Sequence, residues 1–120
     1  MVKKLIEKYR SGENDFTSPG EALFGAFKSG VLVGVGGLNI DPYFNEANLG
    51  RVRHLYVVPS ARNLGVGRAI VSRIEQHAQE YFIRLQLQSP TEAASAFYRS
   101  LGYAGVAGVH KVTHEKHLSS

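Results

Sequence analysis

Val52-Arg53-His54-Leu55-Tyr56-Val57-Val58-Pro59, running on through Ser60-Ala61-Arg62-Asn63-Leu64-Gly65-Val66-Gly67-Arg68, decides the fold of this chain. Val52 to Val58 is apolar and β-branched toward its end, and Pro59 stops it, so it reads as a strand. Two glycines then open a helix. Ile70, Ile74, Ala78 and Tyr81 line one face of that helix, while Glu75, Gln76, Gln79 and Glu80 lie elsewhere. Ile83 to Gln88 alternates, with Ile83, Leu85 and Leu87 on one side and Arg84, Gln86 and Gln88 on the other, which predicts a second strand. Strand, helix, strand in this order implies a crossover and therefore parallel pairing.

Toward the N-terminus, Leu23 to Phe27 and Val31 to Ile40 read as a hairpin around Ser29-Gly30, with Asp41-Pro42 ending it and a polar loop over 41–50. Residues 13–21 carry the turn signals Asn14-Asp15 and Ser18-Pro19-Gly20. Val2, Leu5, Ile6 and Tyr9 recur at helical spacing, with Gly12 as the stop. Toward the C-terminus, Ser89-Pro90-Thr91-Glu92 reads as a capping box with Ser89 as the cap. Ala94, Phe97, Tyr98 and Leu101 form the apolar stripe of the helix it starts, and Gly102 ends it. Residues 103–117 supply one or two closing strands. The early hairpin is antiparallel and the crossover parallel, so the class is α/β (α+β), a mixed sheet covered by helices.

Bulk properties narrow the function. At 120 residues, 43% hydrophobic and 20% charged, the chain fits one compact domain spanning 1–120. It has no run of eighteen apolar residues, and its start lacks the apolar stretch of a signal peptide. Without cysteine it has no disulfide, thiolate nucleophile or thiolate metal site, and cytoplasm is the default location. The net charge of +4 favours anionic partners, either nucleic acid or a phosphate-rich cofactor. The basic residues are scattered, with no block of like charge, which argues against a nucleic-acid-binding tail.

The 62–68 loop carries the chemistry. Gly65 and Gly67 let backbone approach a ligand, and the loop feeds a helix N-terminus, where free N–H groups and the dipole favour phosphate. Arg62 and Arg68 add positive charge. The bare pattern Arg-x-x-Gly-x-Gly also occurs in connections that merely pack tightly; its place between strand and helix favours phosphate. It lacks the Gly-Lys-Ser/Thr of a P-loop and the glycine spacing of a dinucleotide fingerprint.

These residues resemble the cofactor motif of the GNAT superfamily of acetyl-coenzyme-A-dependent N-acetyltransferases, Arg/Gln-x-x-Gly-x-Gly/Ala after a strand ending in Val-x-Pro. Phe97-Tyr98-Arg99-Ser100-Leu101-Gly102-Tyr103, about thirty residues on, resembles the family's later signature; the two in order are more specific than either alone. The resemblance runs from about Leu23 to the C-terminus. It implies a mostly antiparallel sheet whose central parallel pair splays around the cofactor, with helices on both faces. It implies that Leu55, Tyr56 and Val57 meet the pantetheine arm, with the backbone of Leu55 and Val57 bonding it. The run Arg62, Asn63, Leu64, Gly65, Val66, Gly67 and Arg68 would wrap the diphosphate, and Tyr98 would protonate the departing thiolate. A phenol, with a pKa of about 10, suits that leaving group; the alternative for Tyr98 is a core tyrosine that fills space.

Departures from the family are informative. Thr91 stands where many members have an asparagine that contacts pantetheine, and Asn63 stands where glycine is frequent. Asn tolerates left-handed dihedrals. Only about twenty residues precede Leu23, so the family's first strand is expected to be missing, and the bared sheet edge suggests a homodimer. Arg51 occupies the position of the catalytic glutamate of some relatives. His54, Glu46, Asp41 or a water chain are the alternatives for a base. The spacing of His110, His114 and His117 fits no zinc motif, so no metal is expected. The resulting expectation is acetyl transfer from acetyl-coenzyme A to a small-molecule or peptide amine in a ternary complex. The alternative is a catalytically weak coenzyme-A-binding module of the same fold.

Overall fold

The computed structural model describes residues 4–7 and 16–118. Strands β1 (Lys4–Glu7), β2 (Ala22–Lys28), β3 (Val31–Ile40) and β4 (Leu49–Val57) come first. A 3-10 turn at Pro59–Ala61 and helix α1 (Val66–Ala78) follow, and then β5 (Arg84–Leu87), α2 (Glu92–Ser100), β6 (Ala104–Gly105) and β7 (His114–His117). The strands form one sheet in the order β1-β2-β3-β4-β5-β7-β6. Only the β4–β5 pair is parallel, as the crossover demands; the other pairs are antiparallel.

The helical spacing around Leu5 is not realised at residues 4–7. They form a strand, with Lys4 opposite Phe27 and Glu7 opposite Phe24. A short isolated helix is marginal in water, whereas the open edge of β2 offers a row of unpaired backbone groups. The strand expected to be missing is therefore present, and it is β1 that occupies that edge of β2. Residues 1–3 and 8–15, including the Gly12 stop, lie outside the described residues.

Helix α1 buries Val66, Ile70, Val71, Ile74 and Ala78 against the sheet. Each fully buried aliphatic side chain of this size contributes about 1.5–3 kcal/mol. The helix lies so close to β3 that a Cβ on Gly36 would sit 2.6 Å from Ile70 Cγ2. The helix ends at Ala78, so Tyr81 falls beyond the stripe and is exposed. Ile83 likewise precedes β5 and is 61% exposed, while Gln86, assigned to the open side of the strand, is buried.

Lys116 of β7 meets Glu75 of α1, and His114, two residues earlier, meets Ser95 of α2. Alternate residues of a strand share a face, so both described helices lie on one side of the sheet. On the other side, where the resemblance also implies helix, Phe16 covers β3 beside Gly37. The 16–21 segment is held as a loop: Glu21 accepts from Ser18 N at 3.2 Å and from Ile40 N at 2.9 Å.

Candidate active site

Strands β4 and β5 pair over only three residues, Leu49 to Arg51 against Arg84 to Gln86, and then diverge. Beyond Arg51 one edge of β4 faces a cleft of about 1070 Å³. Within the same stretch β4 bulges. Its register with β3 steps from Gly37↔Arg53 to Val35↔Tyr56, so Gly36 alone faces both His54 and Leu55. His54 takes up the extra residue at φ 59°. Val58 N donates to Val33 O at 2.9 Å, so by antiparallel alternation Tyr56 bonds toward β3 and Val57 turns its backbone toward the cleft. The Val57 carbonyl indeed accepts Arg62 Nε at 2.9 Å.

At the far end of β4 the chain passes through the 3-10 turn into the 62–68 loop. Asn63 adopts φ 64° and Gly65 φ 83°, both left-handed, which brings the loop under the first turn of α1. Gly65 is the N-cap, and no side chain caps the helix. The N–H groups of the first turn are therefore available to an anion, reinforced by the helix dipole. The first turn holds no acidic residue. Arg62 is folded back along β4, its guanidinium over the Tyr56 ring at 5.5 Å.

Tyr98 faces the cleft from α2. It is only 6% exposed, with its ring against Phe97, Tyr103 and His114. Burial pushes its phenol up to about 12. Helix α2 starts later than the capping-box reading placed it. Thr91, not Ser89, is the cap, its Oγ1 accepting from Ala94 N at 3.1 Å. Ser89 is held just beyond the end of β5 instead, donating its N–H to Thr113 Oγ1 at 2.8 Å.

Thr113 is part of a chain of polar contacts that orients α2. Arg99 Nε donates to Ser95 Oγ at 3.2 Å, and Ser95 Oγ lies 2.9 Å from His114 Nε2. His114 Nδ1 lies 2.9 Å from Thr113 Oγ1. A serine hydroxyl that accepts from arginine has its proton free for His114 Nε2, which fixes the proton of a neutral imidazole on Nδ1. Burial and the nearby Arg99 charge hold His114 below the ordinary histidine range, consistent with that state. The chain ties α2 to β7 and to the end of β5, and so sets where Tyr98 points.

At the opposite end of the cleft from the 62–68 loop stand Arg51, Arg53 and Tyr43. Arg51 is buried and donates from Nε to Asp41 Oδ2 at 2.9 Å. Asp41 Oδ1 accepts from Tyr43 N at 2.9 Å. Asp41 is thus fully engaged and does not line the cleft. Glu46, the other loop carboxylate considered as a base, pairs with Arg84 at 3.1 Å. Of the base candidates only His54 lines the cleft, exposed and edge-on to Phe16.

One cleft thus brings together Leu55, Tyr56, Val57, Arg62, Asn63, Gly65, Val66, Gly67, Arg68, Thr91 and Tyr98. Leu64 is the exception, since its side chain is exposed and does not line it. Among the described residues no group of three or more metal-ligating side chains is present; His110 and His117 are exposed and His114 is spent on Ser95 and Thr113. The sequence reading assigned no role to Thr113-His114. Their only local signal is a polar pair at the start of a short strand, and the partners lie 19 to 26 residues away.

Comparison with known proteins agrees with this geometry. The chain is 35% identical over 82 residues to an IAA acetyltransferase of Azospirillum brasilense, covering 66% of this chain and 52% of that protein. It is 33% identical over 112 residues to the aminoglycoside N(6')-acetyltransferase type 1 of Klebsiella aerogenes, covering 87% of this chain and 71% of the relative. A solved structure from Exiguobacterium sp. 255-15 superimposes with a TM-score of 0.76 at 36% identity, over 85% of this chain and 66% of that one. Residues 2–103 match the acetyltransferase (GNAT) family as a whole, and the chain belongs to that family.

Proposed function

We propose that this chain transfers an acetyl group from acetyl-coenzyme A to a primary amine by direct attack within a ternary complex. The observation that carries the reading is the continuity of the cleft. It runs from the uncapped N-terminus of α1, along the unpaired edge of β4, to Tyr98. The residues present suit the cofactor. Main-chain N–H groups of 65–68 meet a diphosphate, Arg68 adds charge, and the cleft-facing backbone of Val57 bonds an extended amide-bearing arm. Thr91 keeps a hydroxyl proton for the same arm while its oxygen caps α2.

When bound, acetyl-coenzyme A supplies an activated thioester. The amine nitrogen bonds to the thioester carbonyl carbon and the carbon–sulfur bond breaks. The amine's surplus proton passes to water or His54, and Tyr98 gives its own to the sulfur, recovering it from solvent. The bulge at His54–Leu55 interrupts the β3–β4 ladder, and the cleft-facing backbone beyond it, at Val57, offers its N–H to developing oxyanion charge. A phenol raised to about 12 is a weak acid, but a thiolate released against the same buried wall is itself made more basic. The two shifts offset each other, and Tyr98 stays neutral and ready to donate.

Isothermal titration of the purified chain with acetyl-coenzyme A tests the first half, and thiol release with a panel of amines tests the second. Binding without turnover of any amine supports the coenzyme-A-binding module instead. Absence of binding removes both.

A further inference from the structure

The acceptor end of the cleft has a distinctive charge pattern. Among the described residues, the cleft is lined by Arg51, Arg53, Arg62 and Arg68 and by no carboxylate. Arg62 and Arg68 belong to the diphosphate end. Arg51 and Arg53, two residues apart on β4, project from one face at the other end. Lys111 lies nearby, with its Nζ 4.8 Å from the Tyr43 ring, and that ring lies 4.8 Å from the Arg51 guanidinium. Among the described residues Asp41 is the carboxylate paired with Arg51, and each of its oxygens accepts a hydrogen bond, from Tyr43 N and from Arg51 Nε.

Arg51 is the unusual member. Its side chain is 4% exposed and its Nε is satisfied by Asp41, yet its Nη2 is buried with no hydrogen-bond partner among the described residues. A buried donor without a partner is costly, and such a group calls for an explanation. The Tyr43 ring, on the 41–48 loop and about half exposed, stacks 4.8 Å from the guanidinium, and both residues line the cleft.

Taking the acetyltransferase reading as its basis, we propose that the acceptor is an amine that also carries a carboxylate, with Arg51 Nη2 as the anchor and Arg53 and Lys111 as supporting charge. A free amino acid or a short peptide with an open C-terminus has this chemistry. A carboxylate completes the donor that the fold leaves unpaired, by a charge-assisted bond. Polycationic acceptors such as polyamines meet three like charges and no free carboxylate. The same cations lower the pKa of the acceptor's ammonium, so more of it is neutral and nucleophilic at a given pH. That supplies part of what a catalytic glutamate at position 51 would otherwise do.

The test uses the full chain, saturating acetyl-coenzyme A and thiol release with three acceptors: an α-amino acid, its primary amide and spermidine. We expect the acid to exceed its amide in kcat/KM by about tenfold or more, and spermidine to be the poorest. Arg51→Gln alone would strand Asp41, so it is paired with Asp41→Asn to keep the buried site neutral; Arg53→Gln leaves the pair intact. In the double variant the acid-to-amide ratio should fall to about threefold or less, with Arg53→Gln intermediate and coenzyme A affinity by calorimetry within about twofold in both. An amide or spermidine turned over as well as the acid overturns the proposal. So does an acid preference that survives the double variant, or bound cofactor with none of the three acceptors turned over. Failure of the wild-type chain to bind coenzyme A sinks the underlying acetyltransferase reading instead.

Discussion

Under the proposed mechanism one side chain, Tyr98, serves packing and chemistry together. Its ring fills the core between α2 and β7, and the burial that makes it a good core residue also keeps its phenol protonated. Tyr98→Phe preserves the packing and removes the proton. We expect kcat to fall about a hundredfold in thiol release, with the affinity for coenzyme A by calorimetry unchanged within twofold. Gly36 makes the opposite case. It has no chemistry, but a methyl there meets Ile70 at 2.6 Å and sits opposite the β4 bulge. Gly36→Ala should cost about 1–3 kcal/mol in urea unfolding, because the helix must move away from the sheet.

Among the elements, α2 depends most on its connections. It is nine residues long, a length that does not stand alone in water. Thr91 caps it, and Thr91→Ala should lower stability by about 1 kcal/mol, read by thermal or urea unfolding. The contact chain through Ser95, His114 and Thr113 anchors its middle. In the folded state His114 is held below its ordinary 6.5, whereas the unfolded chain takes a proton near that value. Above pH 6.5 both states are neutral there and the group adds no pH dependence. As pH falls below 6.5 the unfolded state binds the proton first, so stability declines. Unfolding midpoints measured from pH 7.5 to 5 should drop, and His114→Asn should flatten that drop. A second anchor lies at the end of α2, where Tyr103 donates to Glu75 at 2.8 Å and Lys116 bridges Glu75 and Leu101 O.

At the scale of the whole molecule, the cleft exists because two central strands part after three paired residues, and the pH dependence of catalysis should reflect the buried phenol in its wall. With Tyr98 raised to about 12, no essential acid is lost at moderately alkaline pH. The profile of kcat/KM should rise as the acceptor amine sheds its proton and show no fall below about pH 10. A steep decline near pH 8 would point to a different acid. No helix among the described residues is long and apolar enough to cross a membrane.

Much of this was legible in the chain alone. The β2–β3 hairpin, the β4–α1–β5 crossover and the glycine loop followed from alternation, helical period and turn residues, because those patterns record contacts between near neighbours. The left-handed conformation of Asn63 agrees with the resemblance, which places it where glycine is frequent. Other features depended on partners distant in sequence. Residues 4–7 became a strand because an open sheet edge was there to receive them. Arg51 became a buried cation with a spare donor because the chain folds Asp41 and Tyr43 over it. Thr113 and His114 took on a role because β7 pairs with β5 beside α2. Periodicity specifies which face of an element is buried; what that face meets is decided only when the whole chain has packed.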